Sequence, residues 1–217
     1  VSLTNSGIIR AGDATTESDY AVRLEDIGNN SVTFTNQGAG AISASNQYGV
    51  SIEGASSLTF NNLGTASLEA EDRVVVIDAT SQAPSLTFNN QGTISATDDS
   101  AAHLLDVTDV TTTLSLTNSG TLSTEGAGAI TGTVNASGVS LTLNNSGTIS
   151  AEDGSTVYLQ GLNGTVDFDN SGTLSAGHAT QVSNDAVRLL GINGNIVNFD
   201  NLAGGALTAT GTRAVQL

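Results

Sequence analysis

Acid–base chemistry in this chain would have to come from Asp98-Asp99, from Gly177-His178 or from His103. Glycoside hydrolysis needs two carboxyl groups converging on one bond. The acidic pair and His178 stand nearly three periods of an internal repeat apart, in variable segments, and so well over 10 Å apart at about 4.8 Å per winding. A polysaccharide lyase needs basic residues, usually with bound calcium, to manage a carbanion. The chain has no Lys and only Arg10, Arg23, Arg73, Arg188 and Arg213. Ser and Thr are plentiful, yet there is no Gly-x-Ser-x-Gly elbow, and neither histidine has an evident nucleophile partner. His103 falls at an outward strand position and reads as a surface residue. The expectation is a chain with no catalytic, cofactor-binding or metal-binding residues, and not an enzyme.

Charge narrows the partners. Among 217 residues, 21 are Asp or Glu and five are Arg, for a net charge of −16. Such a surface repels phosphate backbones and anionic lipid, so no nucleic-acid partner is expected. With no Cys there are no disulfides and no thiolate metal sites. No apolar run is long enough to span a bilayer, and no basic-then-apolar leader is present. The acids recur as Asp13, Glu17 and Asp19, then Glu71 and Asp72, Asp98 and Asp99, Glu125, Glu152 and Asp153, and Asp185. Stacked, they form a stripe down one edge, where like charges about 5 Å apart repel by nearly 1 kcal/mol even in water. Calcium bridging adjacent turns is the one cofactor such a stripe admits. The Gly-Gly-x-Gly-x-Asp calcium repeat is absent, so the stripe reads as solubilising loops.

What positions these side chains is a phrase repeated eight times. It runs Leu3-Thr4-Asn5-Ser6-Gly7, Phe34-Thr35-Asn36-Gln37-Gly38, and so on to Phe199-Asp200-Asn201-Leu202-Ala203. Its asparagines lie 31, 26, 28, 28, 27, 25 and 31 residues apart, a mean period of 28. A period of this size marks a repeat array rather than a globular enzyme. Two places before each motif Leu or Phe stands another apolar residue, from Val1 and Val32 to Val197, which gives the strict alternation of a strand with one buried face. All five phenylalanines of the chain fall in one column. A second strand follows the glycine, carrying Ile9, Ile42, Leu68, Ile94, Leu122, Ile149, Leu174 and Leu207 inward. A small residue, Ala or Thr124, comes two places later. The third strand has inward pairs Val22/Leu24, Val50/Ile52, Val75/Ile77, Ala102/Leu104, Val157/Leu159, Val187/Leu189 and Val215/Leu217, with a weaker copy at Ile130/Gly132.

Three short strands per period describe one turn of a parallel β-helix. The fold expected is all-β: a single-stranded β-solenoid of about eight coils, with almost no α-helix, forming one domain over residues 1–217. Val1 falls inside the first repeat and Leu217 inside the last, so the chain is expected to be an excised piece of a longer protein. Asn5, Asn36, Asn62, Asn90, Asn118, Asn145, Asn170 and Asn201 share the inward parity of the phenylalanine column. They are expected to form a ladder in which each amide bonds the one above and below. The glycine two places on is read as supplying backbone freedom for the turn. The outward positions of the first strand form rows of Thr, Ser and Asn. Thr33, Thr35, Thr59, Thr87, Thr117 and Thr142 are the candidate interaction face. Thr/Ser rows recur on the second strand, as at Thr93/Ser95 and Thr148/Ser150. Threonine rows also suit ice, but Asp167/Asp169 and Asn198/Asp200 interrupt them here.

The phrase Asn-Ser-Gly-Thr-(Ile/Leu)-Ser-Ala, at Asn145–Ala151 and Asn170–Ala176, resembles the repeat of autotransporter (type V secretion) passenger domains. The resemblance covers the whole chain as a pattern of stacking positions. It implies a right-handed β-helix exported through a C-terminal outer-membrane β-barrel of the same polypeptide, outside this sequence. It further implies an extracellular location, anchored at the bacterial outer membrane, and a role in adhesion, self-association or display. Expected partners are a host or bacterial surface protein or glycan, or a second copy. The alternatives are a passive stalk displaying another domain, and less favoured, a polysaccharide-active β-helix enzyme or an ice-binding solenoid.

Overall fold

The computed structural model describes residues 1–12, 20–28, 30–45, 48–78, 85–97, 103–108, 113–126, 128–133, 139–162, 164–177, 185–191, 196–210 and 213–217, without the side chains of 103–108. Among the described residues there are strands and turns and no helix. The strands fall into three parallel sheets of eight, and every third strand in the chain joins the same sheet. Sheet one takes Ser2–Asn5, Ser31–Asn36, Ser57–Asn62, Ser85–Asn90, Thr113–Asn118, Ser140–Asn145, Val166–Asn170 and Val197–Asn201. Sheet two runs in parallel from Ile8–Ala11 to Ala206–Ala209, and sheet three from Tyr20–Leu24 to Val215–Gln216. The chain is a β-solenoid. It has eight levels, of which about six are covered by a neighbour on both sides. At about 4.8 Å per level the rod is roughly 35–40 Å long.

Register places like on like. Leu3, Phe34, Phe60, Phe88, Leu116, Leu143, Phe168 and Phe199 are successive partners in sheet one. The rings of Phe34, Phe60 and Phe88 stack at 4.9 and 5.1 Å with 8° between planes. Phe168 and Phe199 repeat this at 4.8 Å, tilted by 31°. The aromatic column meets Ile42, Leu68, Ile94, Leu122, Ile149 and Leu174 of sheet two and the valines and leucines of sheet three in one continuous core. Burial of this kind contributes about 25 cal/mol per Å² of apolar surface.

The eight motif asparagines form an unbroken chain of side-chain hydrogen bonds. Asn5 Nδ2 donates to Asn36 Oδ1, Asn36 to Asn62, and so on to Asn170 and Asn201, at 2.7 to 3.0 Å. Every amide donates in the same direction, toward the C-terminal end. The orientation is set locally, because each Nδ2 also donates to a carbonyl of its own turn, such as Gly120 O from Asn118 at 3.3 Å. An oxygen there would face another oxygen. The main chain runs alongside: Ser119 N donates to Asn90 O at 2.8 Å and Ser146 N to Asn118 O at 2.8 Å. Asn36, Asn62, Asn90, Asn145 and Asn170 are at most 2% exposed. Buried amides are tolerated because their polar atoms are matched.

The expected backbone freedom holds at two motif glycines, and four others need a different explanation. Positive φ occurs at Gly38 (64°) and Gly64 (67°), in turns with two extra residues. Gly92, Gly120, Gly147 and Gly172 have no such φ; a Cβ on them would collide with the carbonyl oxygen of Ala66, Gly92, Gly120 and Gly147 respectively, in the level beneath. The constraint is close approach between levels rather than backbone freedom. Gly40, Ala66 and Gly205 stand at the same distance before the inward residue in the longer turns, and Ala66 is fully buried.

Sheet three also departs from the reading. Tyr48 pairs with Arg73 and Val50 with Val75, while the residues between them, Gly49 and Val74, are buried without a ladder pairing. Each such strand carries a bulge-like step with two consecutive buried residues. Strict alternation misses this step. The register therefore places Leu105 and Val107, not Ala102 and Leu104, opposite Val75 and Ile77.

Two substitutions separate these causes. Gly120→Ala forces a methyl against backbone and should destabilise by about 1–3 kcal/mol, while Gly7→Ala, with open space around the site, should leave the urea midpoint of the monomer unchanged. Asn118→Ala should cost roughly 1–3 kcal/mol for each buried group left unmatched on Asn90 and Asn145. Asn201→Ala, at the exposed end of the ladder, should change stability by no more than about 0.5 kcal/mol.

Candidate functional site

The inward parity of the core fixes what faces outward. On sheet one, Thr33, Thr59 and Thr87 are successive register partners, followed by Ser115 and Thr142. Thr35 lies in a second row that runs from Thr4 through Asn61, Asn89, Thr117 and Asn144. All six candidate threonines thus lie on one face, in two rows rather than one. A third row, Ser31, Ser57, Ser85, Thr113 and Ser140, stands beside them. In the first six levels every outward residue of this sheet is Ser, Thr or Asn. Level seven brings Asp167 and Asp169 opposite Thr142 and Asn144, and level eight Asn198 and Asp200. On a chain of net charge −16, this is a continuous uncharged surface.

The rows are partly tied to themselves. Asn89 Nδ2 donates to Asn61 Oδ1 at 2.8 Å, and Asn61 Nδ2 to Thr35 Oγ1 at 3.4 Å. Ser57 Oγ bonds Ser31 Oγ at 2.8 Å. This short outer ladder points opposite to the inner one. Asn61 and Asn89 belong to the outward Thr, Ser and Asn rows legible in the sequence, and their spacing of 28 residues, one repeat, is the signal for the bond between them. Such bonds hold these polar groups in fixed places.

Sheet two presents its own hydroxyls. Ser95, Ser123, Ser150 and Ser175 form one outward row, and an open groove of ≈ 550 Å³ runs over them. Glu125 and Glu152 line its rim on consecutive levels, both exposed. Of the acidic stripe, Glu71 is exposed and Asp72 and Asp153 half-buried. Asp185 is a correction: at 2% exposure it is buried, and its Oδ1 has no hydrogen-bond partner. It therefore does not belong to a solvated loop edge. Asp13, Glu17, Asp19, Asp98, Asp99 and His178 lie outside the described residues. His103 is the register partner of Arg73 and Gly128. Among the described residues no group of three or more His, Cys, Asp and Glu side chains gathers as a metal would require.

Sheet three holds what the sequence did not disclose. Tyr20 and Tyr48 stack at 4.8 Å and 13°. Arg23 lies 5.0 Å from the Tyr20 ring and Arg73 6.0 Å from that of Tyr48, and Arg188 lies 5.3 Å from Tyr158. Each tyrosine of the chain thus carries a guanidinium, a contact worth about 0.5–1 kcal/mol at an exposed site. Arg23 also pairs with Glu25 at 2.6 Å. These residues sit in variable segments, and only three-dimensional register brings them together.

Comparison with protein-family models, with curated proteins and with solved structures yields no match.

Proposed function

We propose that this chain is a non-catalytic rod of the bacterial cell surface, of the autotransporter passenger kind, that mediates adhesion or self-association through the outward face of sheet one. The single observation that carries this reading is the uncharged Ser/Thr/Asn surface over six levels of a strongly acidic chain. Solubility favours scattering charge over every face, yet on sheet one charge is confined to the last two levels, while the strands of sheets two and three carry it from the first level on. Six levels by a six-residue strand make a flat patch of roughly 600 Å². That is somewhat below the area of about 800 Å² per partner in a standard interface. A single contact is then weak, and many copies on a surface would add by multivalency. Hydroxyls and amides suit a glycan or a like face, since each can both donate and accept.

A second reading, a passive stalk, draws on the unbroken core and ladder, which make a stiff spacer whether or not the face binds. The two readings differ in what the face does. Bacteria displaying the chain with Thr59→Asp and Thr87→Asp together should adhere and aggregate roughly tenfold less, because a carboxylate buried unpaired in a contact costs at least about 1–3 kcal/mol. The same exchange at Thr121 and Thr148 on sheet two should leave adhesion intact. Adhesion unchanged by the sheet-one pair assigns the stalk. No metal enters this reading, and equal melting midpoints in calcium and in chelator are the expected result; a higher midpoint in calcium would assign the acidic turns a metal.

A further inference from the structure

The groove on sheet two lies between levels four and seven, with further levels on both sides of it. Its floor is the outward row Ser95, Ser123, Ser150 and Ser175, successive register partners. The row continues as Glu69 at level three and Thr208 at level eight, larger side chains at which the groove stops. Its rim is Thr97, Glu125, Glu152 and Gly177, each two places after a floor serine. Main-chain bonds fix that rim. Glu125 N donates to Ala96 O at 3.4 Å, Glu152 N to Thr124 O at 3.0 Å and Gly177 N to Ala151 O at 2.9 Å. At ≈ 550 Å³ the groove falls within the range of about 300–1,000 Å³ common to small-molecule sites.

The floor hydroxyls and rim carboxylates are unpaired. Among the described residues nothing bonds the four serine hydroxyls, nor the carboxylates of Glu125 and Glu152. On sheet one, by contrast, Ser57 bonds Ser31, and Asn61 and Asn89 are tied into the outer ladder. No aromatic or large apolar side chain is among the described lining residues, so the groove would hold a partner by hydrogen bonds and charge. Equivalent groups recur about every 4.8 Å, whereas an extended peptide advances about 3.3 Å per residue and falls out of step at once. An equatorially linked chain of pyranose sugars advances by close to one level per ring, and its hydroxyls both donate to and accept from serine. Two uncompensated carboxylates on consecutive levels repel uronic, sulfated or sialic sugars and attract an ammonium group.

We propose that this groove binds a linear amino-sugar glycan, laid along the rod with about one ring per level. Ring hydroxyls meet Ser95, Ser123, Ser150 and Ser175. An ammonium group, with three N–H donors, bridges Glu125 and Glu152. The rim is already bonded level to level, so little ordering of the protein accompanies binding. The site is on a different sheet from the face assigned to adhesion, and the two act independently.

The test is calorimetric titration of the 217-residue chain with a tetramer of β-1,4-linked glucosamine, its N-acetylated form, a galacturonate tetramer and spermine. The glucosamine tetramer should bind saturably, one per chain, and the other three at least about tenfold more weakly. Ser123→Val with Ser150→Val removes floor hydroxyls, and Glu125→Gln with Glu152→Gln removes the rim charge. Each pair should weaken binding about tenfold or more, and the glutamine pair should leave the circular dichroism spectrum unaltered. Thr59→Asp with Thr87→Asp should bind the tetramer as the wild-type chain does, which separates this site from the sheet-one face. Several results would overturn the proposal. They are no saturable binding of the glucosamine tetramer, equal affinity for spermine or for either of the other oligomers, full affinity in the glutamine pair, and loss of binding in the sheet-one pair.

Discussion

Everything in this molecule depends on one distance, the separation of adjacent strands in a sheet. At about 4.8 Å the main-chain N–H and C=O groups of neighbouring levels bond. The same step suits stacked phenyl rings and the amide-to-amide bonds of the asparagines, so backbone, core and ladder are satisfied together. None of the three would hold the register alone. A slip of one residue along the sheet would turn the phenylalanine column outward and break the seven bonds of the asparagine ladder.

The division between an inert interior and a patterned exterior follows from that register. Once Leu, Phe and Asn are turned inward in sheet one, the residues between them become parallel outward rows with no further requirement. What those rows carry is then free to vary without harm to the core: in the first six levels of sheet one it is neutral, and in the last two it turns acidic. Sheet three shows the opposite arrangement, where aromatic and cationic side chains from different levels meet on the surface. A solenoid can in this way support three unlike faces on one scaffold.

The architecture was legible because each level repeats the same inward residues at a near-constant period, and stacking is the one arrangement that uses all the copies. The asparagines could be placed for the same reason. The turn glycines Gly38 and Gly64 were legible in cause, but Gly120 was not, since the oxygen that forbids a Cβ there belongs to Gly92, 28 positions earlier and in another level. The frame of the strand at His103–Thr108 was lost to the step that buries both Val74 and Val75. Neither the burial of Asp185 nor the pairing of Arg188 with Tyr158 leaves a local trace, because both depend on variable segments brought together by the winding.

The tyrosines have a practical consequence. The chain has no Trp and only three Tyr, all on sheet three: a stacked pair at the first two levels and Tyr158 at the sixth. Ultraviolet emission therefore arises from two separate stations along the rod. Replacing Tyr158 with Phe leaves a signal from the early coils alone, and replacing Tyr20 and Tyr48 leaves one from the later coils, so fluorescence can time which extremity frays first.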